Sequence, residues 1–144
     1  MKGVRSAGPT TVAEAVRNLL DQVERETTLI LRQKGDLIPL LRHLDHLAAE
    51  VDSLSAQGVD MRGEQTRWET LCRQLRSGAA RILRHRRETE AEIKAARPSA
   101  AEWWWDLAEI AAEQRRARMR ATFSRLGIIA AVIAVLGFAA YALA

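Results

Sequence analysis

The sequence contains little of what builds a catalytic, metal-binding or disulfide-stapled protein. A single cysteine, Cys72, excludes an internal disulfide and agrees with a reducing cytoplasm. Its three histidines come without paired cysteines or a His-Glu-x-x-His motif, so no zinc-type ligand set stands out. No glycine-rich phosphate loop, nucleophile elbow or carboxylate pair stands out either. Three prolines and eight glycines leave long stretches without a helix breaker. Ala, Leu, Arg and Glu dominate, and such a chain is expected to be all-α. It is also expected to be non-catalytic, with no cofactor, no metal and no small-molecule substrate. The opening MKGVRSAGP has charge but no apolar run, so neither a secretory signal nor N-myristoylation is expected there.

The long apolar run is at the other end. Residues 126–144 read LGIIAAVIAVLGFAAYALA without a charge, and as a helix they span about 28 Å, close to the ~30 Å hydrocarbon core of a bilayer. Just before them come Arg115, Arg116, Arg118, Arg120 and Arg125, with no acid among them. Basic flanks stay on the cytoplasmic side, which places the preceding 125 residues in the cytoplasm. These arginines are read as the membrane-interface residues. Gly127, Ala130, Ala131, Ala134 and Gly137 form a small-residue face suited to close packing against another transmembrane helix.

Arginine outnumbers lysine nineteen to three, as in an Arg-coding, GC-rich and therefore bacterial genome; the membrane is then the inner membrane. The net charge of +4 is segmented: residues 10–60 hold nine acids and five bases, and residues 73–97 eight bases and three acids. Residues 98–114 carry four acids and no base. Alternating blocks suit helices that meet each other or charged partners better than a uniform nucleic-acid surface. The basic stretch Arg81–Arg87 is followed at once by Glu88, Glu90 and Glu92; ion pairs along an exposed helix are expected and nucleic-acid binding is not.

Residues 1–10 read as a flexible leader and 11–97 as a helical bundle. Thr11 and Glu14 form a capping box, and Val12, Val16, Leu19, Leu20, Val23, Thr27 and Ile30 follow at helical spacing. Gly35 is expected to end this helix and Asp36 to cap the next. The second helix has near-heptad rows at 37, 44, 51 and 40, 47, 54; Gly58 ends it and Asp60 caps a third. Short links make the first two helices an antiparallel hairpin. The third helix is predicted to run from about Met61 to Ala96, with Trp68, Leu71, Cys72, Leu75, Ala79, Ile82 and Leu83 on its apolar side. Gly78 is expected to bend it, and its distal half to overhang the bundle.

Pro98 stops that helix, and the capping box Ser99–Glu102 predicts a juxtamembrane helix over 98–125. Trp103, Trp104 and Trp105 would span some 200° of an α-helix, so at least one should meet a second surface. With Leu107 and Ile110 they are the predicted partner-binding residues. His43, His46 and Glu50 share one edge of the second helix, but they are read as boundary residues rather than metal ligands. Cys72 is read as a small buried hydrophobe.

The layout resembles that of tail-anchored proteins and, superficially, the membrane-fusion SNAREs. No long heptad helix with a central polar layer adjoins the membrane, so that function is not carried over. The expected role is an accessory, scaffold or assembly subunit held at the lipid bilayer by its anchor. Its partners are then other membrane proteins or a second copy of itself. The alternative is a membrane-surface binder or remodeller that lays residues 100–123 on the lipid, and behind it a metal-binding helical enzyme built on His43 and His46.

Overall fold

A computed structural model describes residues 9–84, 86 and 88–142, and all the regular structure among them is helical. The order is α1 (Pro9–Leu31), α2 (Leu37–Ala56), α3 (Arg62–Ile82), a short α4 (Glu90–Ala96), a 3₁₀ turn (Trp103–Asp106) and α5 (Leu107–Ala142). Helix α1 already includes positions 9 and 10 of the expected leader, so Thr11 lies inside the helix and not at the expected cap, and residues 1–8 lie outside the described residues.

The apolar stripes of the sequence are the core. Val16, Leu20, Val23 and Ile30 of α1 are buried against Leu40, Leu44 and Leu47 of α2 and Leu71, Leu75 and Ile82 of α3, in one cluster. A fully buried leucine contributes about 1.5–3 kcal/mol, so packing outweighs helix propensity in fixing these elements.

Named contacts give the helix directions. Glu26 meets His43, so α1 and α2 run antiparallel. Arg17 pairs with Glu64, Arg67 with both Asp21 and Glu24, and Gly78 faces Leu31. These partners advance together, so α3 runs parallel to α1. Trp68 meets Trp104, and further along Gln114 meets Arg76 and Ala80, so α5 runs parallel to α3. The α1–α2 link, the end of α3 and the outgoing part of α5 therefore share one end of the bundle.

The helix predicted over 61–96 is divided. Helix α3 ends at Ile82, and a capping box starts α4: the Glu92 N–H donates to Thr89 Oγ1 at 3.2 Å, while the Glu92 carboxylate accepts from the Thr89 N–H at 2.6 Å. Between them Glu88 accepts from the Ile38 N–H at 3.1 Å and caps α2. Asp36 holds the N-cap position of α2 but makes no side-chain cap bond. In place of the expected overhanging half of a long rod stands the separate α4, with Ile93 packed against the core.

Two glycine expectations change as well. Gly78 does not end or interrupt α3. It permits a close approach, because a Cβ there would lie 2.5 Å from Leu31 Cδ2. Gly35 does take a positive φ, 89°, but the residue that closes α1 is Gln33, two positions earlier and itself at φ 64°. Its N–H bonds the Ile30 carbonyl and that of Lys34 bonds Leu29, the paired pattern that closes a helix C-terminus. Gly58, at φ 74°, closes α2 in the same way, as expected.

Candidate functional site at the foot of the long C-terminal helix

The three consecutive tryptophans fold as a 3₁₀ turn. The Trp105 N–H donates to the Glu102 carbonyl at 3.1 Å, the tighter pattern that advances each residue by about 120°. The capping box expected at Ser99 does not form a helix start; Glu102 takes the N-cap position, without a side-chain bond. Trp104 and Trp105 turn inward and are only 3% and 4% exposed.

Both indoles reach one carboxylate. Trp104 Nε1 donates to Asp45 Oδ1 at 2.7 Å, and Trp105 Nε1 donates to Oδ1 and Oδ2 at 3.1 and 2.9 Å. A buried indole N–H is a donor that must find an acceptor, and a carboxylate has lone pairs for two. Trp104 also meets Trp68 edge-on at 5.6 Å and Trp103 at 5.7 Å. Arg97 and Asp106 form a bidentate pair beside the turn. Asp45 from α2, Trp68 from α3 and the foot of α5 thus meet in one aromatic junction.

Trp103 packs at the edge of the same core. It is half-buried, lies 4.7 Å beneath the Arg76 guanidinium, and lines a groove of about 410 Å³ with Trp68, Cys72 and Arg73. Arginine over an indole face is a favourable cation–π arrangement. Burial pushes the Cys72 thiol up to about 11, so it stays protonated and unreactive near neutral pH.

Of the predicted partner-binding residues, Trp104, Trp105 and Leu107 are therefore core residues, while Trp103 and Ile110 keep part of their surface. The inward face of α5, with Leu107 and Ala111, is the face that a lipid-lying segment over 100–123 would have to expose. Gln114 extends the same face: its amide donates to the Arg76 carbonyl at 2.7 Å and accepts from the Ala80 N–H at 3.4 Å.

Beyond Gln114, α5 leaves the bundle. Arg115, Arg116, Arg118, Arg120 and Arg125 are all exposed. The helix continues through Gly127 to Ala142, and Leu126, Ile129, Ile133, Leu136 and Phe138 are each more than half exposed, up to 74% for Phe138. Gly127, Ala130, Ala131 and Ala134 are equally uncovered; the side-chain surroundings of position 137 lie outside the described residues. Among the described residues this is the one helix long and apolar enough to cross a membrane.

His43 Nδ1 lies 2.8 Å from Glu26 Oε2 and joins α1 to α2, while His46 is exposed. Among the described residues no three His, Cys, Asp or Glu side chains converge to hold a metal. Comparison with protein-family models, curated proteins and solved structures found no match for this chain. Function is accordingly argued from the arrangement alone.

Proposed function

We propose that the protein is a non-catalytic, single-pass membrane protein that serves as an accessory, scaffold or assembly subunit of a membrane complex. The observation that carries this reading is the continuity of α5. One helix begins in the aromatic junction of the bundle and runs on as an uncovered apolar rod. Exposed apolar surface of that length is unstable in water and stable in lipid. The arginines before it favour a bundle on the cytoplasmic side of the inner membrane. Tethering confines the bundle to the membrane and raises its effective concentration for other membrane-bound partners.

Two surfaces suit such partners. In the membrane, the small-residue face of Gly127, Ala130, Ala131, Ala134 and Gly137 would admit a closely packed second helix. Outside it, Trp103 and Ile110 offer partly exposed apolar surface on the bundle. Purification of the full-length protein in mild detergent, with native mass measurement, tests the reading. Recovery in a fixed ratio with other membrane proteins, or as a defined homo-oligomer lost on Ala130→Leu and Ala134→Leu substitution, is the expected result. A lone monomer would refute it.

A further inference from the structure

We propose that a cleft at the membrane-facing end of the bundle binds the phosphate-bearing headgroup of a membrane lipid. The cleft lies between the end of α1, the last turns of α3 and the outgoing part of α5, and its volume is about 680 Å³. Arg32, Arg81, Arg84 and Arg118 wall it, with the side-chain amides of Gln33 and Gln74 between them, and among the described residues no carboxylate lines it.

Among the described residues none of these four guanidinium groups forms an ion pair, so their charges are not answered within the bundle. Four like charges around one cleft repel each other until an anion joins them. Guanidinium groups match phosphate oxygens in bidentate geometry, and the neutral amides add donors. A basic residue near the C-terminus of α1 or α3 answers the local helix dipole. Arg118 does not, because it lies well inside α5.

Position selects lipid over a soluble anion. The helix directions bring all three walls to the end from which α5 departs. Arg118 precedes Leu126 by eight residues, about 12 Å along the helix. The polar layer of a bilayer is about 5–7 Å deep on each side, so the reach of an arginine side chain brings the cleft to the headgroups. Arg116 and Arg120 stand at the same height but roughly 160° around the helix from Arg118, away from the cleft. Diffuse attraction to an anionic surface would use both faces alike; a cleft uses one.

The proposal rests on α5 crossing the bilayer, and the experiment separates the two. Full-length protein is reconstituted in nanodiscs of zwitterionic lipid with increasing phosphatidate. The bundle is followed by thermal unfolding through its four tryptophans, all outside the anchor. Phosphatidate is expected to raise the unfolding temperature saturably. Arg32→Ala with Arg84→Ala, both at exposed positions, should weaken the apparent affinity about tenfold or more. Arg116→Ala with Arg120→Ala should weaken it much less. Equal loss in the two variants would overturn the cleft in favour of diffuse attraction. An equal shift from inorganic phosphate or glycerol phosphate in purely zwitterionic discs would overturn the lipid source. No shift with phosphatidate in protein that has entered the discs would overturn the proposal alone, and failure to enter them would overturn the anchor reading with it.

Discussion

Replacing Asp45 tests whether the aromatic junction holds the anchor helix to the bundle. Its carboxylate is the acceptor for both indole N–H groups, at 2.7 to 3.1 Å. A hydrogen bond to a charged acceptor contributes about 1.5–3 kcal/mol, and a buried donor left without a partner costs about 1–3 kcal/mol. These are two views of the same loss and are not summed. Two donors are orphaned by Asp45→Ala; Asp45 itself is half-buried, which favours the low end, so the expected loss is about 3–4 kcal/mol. That is a large share of the roughly 5–15 kcal/mol that stabilises a domain. Asp45→Asn keeps one acceptor oxygen and should lose about half as much.

The assay is denaturant unfolding of full-length protein in detergent, read by tryptophan fluorescence. Trp68 and Trp103–Trp105 all belong to this junction, so the signal reports on it directly. A second arm combines Asp45→Ala with Trp105→Phe, which removes one donor and keeps a ring. Coupling of about 1–2 kcal/mol is expected between them. An Asp45→Ala loss below about 0.5 kcal/mol, or simple additivity in the double variant, would refute the idea that these bonds secure the junction.

Three further outcomes are expected. The Thr27 hydroxyl is buried without a hydrogen-bond partner among the described residues, so Thr27→Val should stabilise the bundle by about 1 kcal/mol in the same unfolding assay; a loss of that size would show that the hydroxyl is bonded in solution. Gly58 closes α2 at φ 74°, and an added Cβ would meet nothing within 4 Å. Gly58→Ala should therefore cost about 1–2 kcal/mol from backbone conformation alone, checked by chemical denaturation. Glu64 is held below its ordinary value of 4.5 by its bond to Arg17, and Glu92 by bonds from the Thr89 backbone and hydroxyl. Both carboxylates are charged and stabilising above that value, and the contribution is lost as pH falls through their lowered folded-state values. Stability should thus decline on acidification below about pH 4.5, and less steeply in a Glu64→Gln, Glu92→Gln variant; an unchanged slope would contradict the assignment.

Periodicity carried most of the fold. Val16, Leu20, Val23 and Ile30, or Leu37, Leu44 and Leu54, declare their buried face by spacing alone, and the structure buries them. Punctuation was harder to read. Thr89 and Glu92 are a legible capping box, yet they sit in a run of good helix formers, so a helix continuing from α3 looked equally natural. Gln33 gave no sign of a left-handed conformation, and Gly35, two residues on, took its role on paper. The junction was half visible. Three tryptophans in a row mark an unusual place, but their spacing does not say which two face the core. Nothing local to Asp45 indicates that its partners are 59 and 60 residues away. An aspartate on the edge of an apolar stripe reads as solvated until its donors are placed. The basic cleft was invisible for a related reason: Arg32 just past α1, Arg81 and Arg84 at and past the end of α3, and Arg118 in α5 meet only because the three helices all run the same way.

Alkaline extraction of membranes containing the full-length protein separates an α5 that spans the bilayer from one that does not. The full-length chain is expected to stay in the membrane pellet while a chain ending at Arg125 is released. Release of the full-length protein would contradict a spanning α5, and would mean that the apolar part of α5 is covered by protein rather than by lipid.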